Sequence, residues 1–571
     1  IVNAAIRRAS KNHATQSTDS WYMTPSSLRQ PAWHPTALLL ILATWLATIG
    51  NFPLWTALWK LPETHGLKAI ATLGILVLVI LAATLLLLSL LVWPRWRKPA
   101  GLLLLAVTAS SSYFMASYGI VIDPTMVTNV VQTDAGEALD LLSWPLLVTL
   151  ALGVVLPGIW WWRQPVRPVG KVRLMAHQFG AALLGLLVAV ALLWTSFQDV
   201  ASLMRNHKQL RYMINPFNSV YAVGRVAVGR TAQAQKPLQP LGTDAQAAAT
   251  DPESAPLIVL VVGETARAAN FGLGGYARDT TPRLKELQGQ GDMVYFSNVS
   301  SCGTNTQASV PCMFSHLGKQ GFEDSNDRYE NLLDVLQRAG LAVLWMENQS
   351  GCKGVCERVP NVDTRPLDIA GLCPDGQCLD QVMLHQLPQE LAKLPAERRA
   401  KGTVVVMHQM GSHGPAYYKR SPESDKHFLP ECTSHALQEC PVEHIQNAYD
   451  NSLRYTDHFL ADTVRWLQAQ KRPTALLYVS DHGESLGEKG LYLHGMPYRM
   501  APAEQTHVPM LAWASKPLQR DMHWNMACLQ ARAHQPWSHD NLFHTLLSLA
   551  RVRTSAQNTD LDLLAGCTQS T

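Results

Sequence analysis

The stretch "PLIVLVVGE", Pro256–Glu264, decides the fold. It is a short, fully apolar run that ends in Gly-Glu. A strand solvated on one face alternates apolar and polar residues, whereas a strand covered on both faces reads as a continuous apolar run. "TVVVMHQMGSHG", Thr403–Gly414, and "TALLYVSDHGES", Thr474–Ser485, repeat the pattern, with polar residues at the end of each run. Helical stretches such as "NLLDVLQRAG" and "HIQNAYDNSLRYTDHFLADTVRWLQAQ" lie between them. Buried strands alternating with helices argue for a mostly parallel α/β sheet. Such sheets bind ligands beyond the carboxyl ends of their strands. Glu264, His408, His413, Asp481 and His482 all fall there.

An Asp-His pair with a Glu from another strand end makes a set of hard oxygens and imidazole that Zn²⁺ accepts. Asp-His-Gly alone is a weak signal, because an Asp capping a turn gives the same letters. Structural zinc would more often use Cys, but the cysteines read as disulfides. All ten lie at or beyond Cys302, in close pairs Cys302/Cys312, Cys352/Cys356, Cys373/Cys378 and Cys432/Cys440. Cys528 and Cys567 are left over, to pair or to stay free, and spacing does not fix connectivity. A fourth metal ligand is then missing, and "SSCGTNTQASVPCMF", Ser300–Phe314, offers one. Its two cysteines would staple a short loop and hold a hydroxyl still beside the metal, which would lower the hydroxyl pKa and make it a nucleophile. Thr304, Thr306 and Ser309 compete for that place. His413 in "GSHGP" and His494 in "LYLHG" sit in Gly-flanked polar loops, where they are candidates for a second metal or a phosphate. An isolated histidine is more often a satisfied core or surface residue.

The first part of the chain has a different composition. The 571 residues are near charge balance at formal +4, which gives no argument for a nucleic-acid partner. Five apolar runs read as membrane spans: approximately Thr36–Trp59, Leu67–Trp93, Ala100–Ile122, Leu142–Trp162 and Met175–Thr195. Arg7, Arg8, Lys11 and Arg29 precede the first; Arg95, Arg97 and Lys98 lie in the second loop; Arg163, Arg167, Lys171 and Arg173 lie in the fourth. The third loop has Asp123, Asp134, Glu137 and Asp140 and no basic residue. Basic loops stay inside. The expected topology puts the N-terminus in the cytoplasm and, after an odd number of spans, the cysteine-rich domain outside, where disulfides persist. The polar arm reads as leading into an anchoring span and not a cleavable signal. Asn129, Thr133 and Glu137 would form one polar stripe if helical, or a solvated loop face otherwise. "SFQDVASLMRNHKQLRYMINPF" reads as a basic amphipathic helix on the membrane surface or a plain connecting helix, and Thr231–Pro256 as a linker. The expected divisions are a cytoplasmic arm over 1–35, spans over 36–195, interfacial helices and linker over 196–256, and a catalytic domain over 257–571.

The succession "GETAR", "SCGTNTQASVPCMF", "SGCKGVC", "HQMGSHGP" and "SDHGESLGEKGLYLHG" behind five spans resembles the phosphoethanolamine transferases that modify lipid A, among them the mobile colistin resistance enzymes. The resemblance covers nearly the whole chain. It implies an N-terminal five-helix transmembrane domain and a C-terminal α/β alkaline-phosphatase/sulfatase-like domain on the periplasmic face of a Gram-negative inner membrane. It implies Thr306 as nucleophile and a zinc site of Glu264, Thr306, Asp481 and His482, with a second zinc as an option. Ser350, Lys353, His413 and His494 map onto residues linked with phosphoethanolamine or that second ion, and Asn129, Thr133 and Glu137 onto a substrate-binding triplet. Some members have Asn where this chain has Gln349. The implied reaction is a double displacement with phosphatidylethanolamine as donor, lipid A as acceptor and a phosphoethanolamine-threonine intermediate, by a monomer embedded in membrane lipids. Neutralised surface charge would weaken binding of polymyxins.

Rival readings remain at this level. A sulfatase would carry a Cys-x-Pro-x-Arg nucleophile motif, which "CGTNT" lacks. A glycerol-phosphate polymerase would use a threonine on another headgroup. Transfer to a core sugar or periplasmic glucan changes only the acceptor. A membrane sensor with a degenerate ectodomain would not need all four ligands.

Overall fold

The computed structural model describes residues 32–567 except 134, 208, 235 and 249–251. The basic arm before residue 32, Asp134 and Lys208 lie outside the described residues. Seven strands form the principal sheet: β1 Leu257–Gly263, β2 Met293–Phe296, β3 Ala342–Glu347, β4 Asn361–Asp363, β5 Thr403–His408, β6 Thr474–Ser480 and β7 Met510–Ala514. The order is β2-β7-β6-β1-β5-β3-β4. β6, β1, β5, β3 and β4 run parallel, and β7 and β2 add an antiparallel edge. β1 is central and buried along its whole length. Ile258, Leu260 and Val262 enter one apolar cluster, Leu257, Val259 and Val261 the other. Alternate side chains of a strand point to opposite faces. With both faces covered by helices, the apolar run cannot alternate, as its sequence indicates.

Five helical segments are long and apolar enough to cross a membrane: Pro35–Trp59, Ile70–Leu91, Arg97–Tyr118, Trp144–Arg163 and Lys171–Asn206. The last differs from expectation. It does not stop near Thr195 but continues into the amphipathic stretch as far as Asn206, bending at Ser196 (φ −121°, ψ 17°), whose hydroxyl bonds the Leu192 carbonyl at 2.8 Å. A side chain that competes for the helical carbonyl commonly bends a helix. The stretch from Thr231 is also less free than a linker. Thr231–Ala234 belong to the helix Phe217–Ala234, and further on Leu238–Gln239 pairs with Arg328–Tyr329 and Gln246–Ala247 with Val552–Arg553.

The expected stripe of Asn129, Thr133 and Glu137 is interrupted. The helix Pro124–Gln132 ends because Thr133 turns extended (φ −60°, ψ 130°) while its N–H and hydroxyl both bond the Asn129 carbonyl. A second helix begins at Ala135. The side chain of Glu137 lies outside the described residues.

The soluble part carries five disulfides: Cys302–Cys312, Cys352–Cys356, Cys373–Cys378, Cys432–Cys440 and Cys528–Cys567. The loops between spans join this part directly. Tyr113, Tyr118, Ile120, Met126 and Leu146 belong to the same apolar cluster as Tyr417 and Leu493, and the helix Pro124–Gln132 packs against Thr306–Met313.

Candidate active site

The register of the sheet assembles the site. Gly263 of β1 pairs with Ser480 of β6, so Glu264 and Asp481 leave adjacent strands side by side. The Asp481 N–H donates to the Gly263 carbonyl at 2.9 Å. Gly263 has to be glycine, because a Cβ there would lie 2.6 Å from the Tyr478 ring. β5 brings His408 to the same edge, opposite Val262.

Asn305 caps the helix Thr306–Met313 by accepting from the Ala308 N–H at 2.9 Å. The Ser309 hydroxyl accepts from the Gly303 N–H at 2.8 Å and donates to the Asp481 carbonyl at 2.6 Å, fastening this helix to the end of β6. The Thr304 hydroxyl is engaged with the Met496 carbonyl at 2.7 Å. Of the three competing hydroxyls, Thr306 is the one that faces the charged cluster: its Oγ1 lies 3.0 Å from Glu264 Oε2 and 3.4 Å from His482 Nε2.

Glu264, Asp481 and His482 are fully buried, with potential ligand atoms within 4.8 Å of one another. His482 Nδ1 meets the Gly483 carbonyl at 3.0 Å. That bond leaves Nε2 to face Glu264 Oε1 at 3.3 Å and Asp481 Oδ2 at 3.4 Å. Asp481 Oδ1 accepts from the Thr265 and His482 N–H groups at 3.2 and 2.8 Å, while Oδ2, buried, has no hydrogen-bond partner among the described residues. Burial first, and then the Asp481 charge, pushes the Glu264 carboxyl up. Burial disfavours charge on His482, yet Asp481 and Glu264 raise its imidazole to about 10. Two buried carboxylates at this spacing call for a cation. The donor set, with an Asp481 oxygen that accepts no hydrogen bond among the described residues, fits a divalent ion with O and N ligands.

A second cluster adjoins the first. His494 Nδ1 lies 2.8 Å from Glu484 Oε2, and Tyr417 Oη donates to Glu484 Oε1 at 2.5 Å. Burial pushes Glu484 up to about 8. The His494 ring lies 4.4 Å from His482 and 5.5 Å from His413, and burial depresses both His413 and His494 well below the usual value. Asp380 holds the intervening loop, accepting from the Met410 and Gly411 N–H groups at 2.8 and 3.0 Å. His408 turns to Glu347 Oε2 at 3.1 Å. Lys353 Nζ donates to Ser350 Oγ at 2.7 Å, so these two join each other; among the described residues neither bonds the Glu264–Thr306 cluster. Glu484 was missed by sequence reasoning, although it stands inside "SDHGES"; its signal was a third acid–imidazole partner two residues beyond His482.

Fold and site together define a membrane-anchored enzyme with a sulfatase-like catalytic domain. Residues 256–552 match the family model described as Sulfatase, and residues 80–231 the model described as Phosphoethanolamine transferase EptA/EptB. The chain is 36% identical over 550 residues to phosphoethanolamine transferase EptA of Salmonella typhimurium, covering 95% of this chain and 98% of that one. It is 38% identical to phosphatidylethanolamine transferase Mcr-1 of Escherichia coli, covering 88% and 92%. The integral membrane lipooligosaccharide phosphoethanolamine transferase A of Neisseria meningitidis superposes with a TM-score of 0.89 at 33% identity, covering 95% of this chain and all of that one. The chain belongs to the phosphoethanolamine transferase family, and it is an enzyme that transfers phosphoethanolamine.

Proposed function

We propose that this enzyme moves phosphoethanolamine from phosphatidylethanolamine to a phosphate of lipid A, through a phosphoethanolamine ester of Thr306, on the periplasmic side of a bacterial inner membrane. The observation that carries this reading is the Thr306 hydroxyl held between Glu264 and His482 at the edge of the sheet. Glu264, Thr306, Asp481 and His482 would hold one zinc ion, and His482, Glu484 and His494 form a second donor set. Zinc bound there supplies a Lewis acid that acidifies the hydroxyl and offsets phosphoryl charge.

In the first displacement Thr306 Oγ1 gives up its proton, for which Glu264 Oε2 stands 3.0 Å away, and bonds to phosphorus. The bond from phosphorus to the glycerol oxygen breaks, and diacylglycerol leaves with a proton. Glu484, at about 8, and its partner His494 are the groups suited to deliver that proton. In the second displacement a lipid A phosphate oxygen bonds to phosphorus, the bond from phosphorus to Thr306 Oγ1 breaks, and Oγ1 takes back the proton from Glu264. The acceptor phosphate gives up its own proton, which restores Glu484. Ser350 and Lys353 would face the phosphoryl oxygens, and Asn129, Thr133 and Glu137 would serve as a substrate-binding triplet. The basic loops support a cytoplasmic N-terminus. Both substrates are lipids of one bilayer, so the anchor supplies proximity. Each added amine offsets surface charge and weakens attraction for polymyxins. Transfer to a core sugar or glucan would use the same first displacement.

The test is mass spectrometry of lipid A and of the intact protein from cells expressing the wild type or Thr306→Ala. Phosphoethanolamine should appear on lipid A and, transiently, on the wild-type chain, and on neither with the alanine variant. Unmodified lipid A beside a modified glycan would refute the acceptor; equal modification by Thr306→Ala would refute the nucleophile.

A further inference from the structure

We propose that Asp140, on the loop between the third and fourth membrane-spanning helices, is a positioning residue for transfer: through Arg420 it holds His413 against the reacting site. The link is a set of hydrogen-bonded ion pairs across two distant parts of the chain. Asp140 ends the helix Ala135–Asp140 and is 3% exposed. Its Oδ2 lies 2.9 Å from Arg420 Nη2 and its Oδ1 lies 2.7 Å from Lys419 Nζ. The Arg420 guanidinium is buried and spends its other donors inward. Nε donates to the His413 carbonyl at 2.8 Å, and Nη1 to Gln377 Oε1 at 3.0 Å. The His413 ring in turn meets His494, and His494 meets His482. Asp140 thus reaches the Glu264–Asp481–His482 cluster through the Arg420 guanidinium, the His413 backbone carbonyl it holds, and the His413 and His494 rings.

The chemistry explains why a carboxylate from the membrane part is needed. A guanidinium stays charged at any working pH. Buried without its counter-ion, Arg420 would keep a large desolvation cost. It would turn towards water or another acceptor and release the His413 carbonyl. Burial opposes charge on Asp140, but Arg420 and Lys419 hold its carboxyl below the usual value. The pair therefore stays ionised. Tyr118 Oη, donating to the His435 carbonyl at 3.2 Å, and the Met126 side chain, occupying the space beside Gly495, bring the same loop region onto the same face. Among the described residues, the carboxylate in direct ion-pair contact with Arg420 is Asp140 of the membrane part; Asp380 of the catalytic domain feels the Arg420 charge without pairing with it.

The inference rests on His413 belonging to the reacting site, and the experiment separates the two. Full-length Asp140→Ala, Asp140→Glu, Arg420→Ala, the Asp140→Ala/Arg420→Ala double variant and His413→Ala are compared in phosphatidylethanolamine vesicles, with kcat, KM for the donor and Tm measured for each. Asp140→Ala should lower kcat about tenfold with KM within about twofold, the size of loss a broken buried charge pair gives. Asp140→Glu should recover most of the rate, and the double variant should be no slower than Arg420→Ala alone. Losses that multiply in the double variant overturn the proposal. So does a lowered Tm with unchanged kcat per folded molecule, which would make the pair only a docking contact. If His413→Ala turns over normally, the assignment of His413 to the site fails and the proposal falls with it. If His413→Ala is slow and Asp140→Ala is not, the proposal alone is refuted.

Discussion

His539 ties the nucleophile loop to the sheet: its Nδ1 accepts the Cys302 N–H at 3.0 Å, and its Nε2 donates to the Ser480 carbonyl at 2.9 Å. Both bonds require the neutral ring in one tautomer, and burial lowers its pKa to about 3. A histidine neutral in the fold but basic when unfolded binds its proton in the unfolded state first. Its stabilising share is therefore complete above pH 6.5 and is lost as pH falls from there towards 3. His539→Ala should lower stability at pH 7 by about 1–3 kcal/mol, the cost of leaving buried partners unpaired. It should also flatten the dependence of stability on pH between 4 and 6, by about one proton. Denaturation curves across that range give the answer; an unchanged slope would show that the ring already carries charge in the fold.

Metal removal should expose the repulsion between Glu264 and Asp481. Chelation should lower Tm, and added zinc should restore it. Asp481→Asn relieves the like-charge pair, so this variant without metal should melt higher than the metal-free wild type, by about 2–4 °C for each kcal/mol regained. Its Tm should no longer respond to zinc. Calorimetry with and without chelator decides; a full zinc response in Asp481→Asn would remove that carboxylate from the ligand set.

Reduction of the Cys302–Cys312 bond should harm turnover more than folding. The bond closes a sequence separation of 10, for which chain entropy gives about 2–3 kcal/mol. His539 and Ser309 hold the same loop by other means. The Cys302→Ala/Cys312→Ala variant should still fold while transferring much more slowly, because Thr306 would sample positions away from Glu264. Circular dichroism and transfer assays separate the two effects; a wild-type rate would show that the hydrogen bonds suffice.

The parts of this molecule that were legible share one property: their chemistry is local. β1, β5 and β6 were readable because strands covered on both faces must be continuous apolar runs. Glu264, Asp481 and His482 follow those strands directly, so finding the strands located the candidate ligands. The antiparallel strands β2 and β7 are apolar too, but over only 4 and 5 residues, too short a run to stand out. Residues alone could not choose among Thr304, Thr306 and Ser309, because the choice depends on which hydroxyl backbone carbonyls claim, a tertiary fact; the resemblance supplied it. The helix break at Thr133 was invisible to a spacing argument, which counts positions and not the bonds that end a turn. Tyr417, Asp140 and His539 act on partners brought near only by folding.

Glu484 gives the site a pH signature. Held at about 8 by burial, it keeps a proton at neutral pH, and Tyr417 Oη, by donating to it, limits that rise. Tyr417→Phe deletes the donor to the charged form, so the Glu484 pKa must move up. The alkaline limb of the kcat profile should follow, with activity persisting to higher pH than in the wild type, whose limb should fall near 8. Glu484→Gln should erase this limb and lower kcat by about 10²-fold or more, the usual worth of a positioned acid–base group. Rates of transfer measured from pH 6 to about 10 check both outcomes. A limb that stays in place in Tyr417→Phe would assign the titration to another group, and one that survives in Glu484→Gln would take Glu484 out of the proton path.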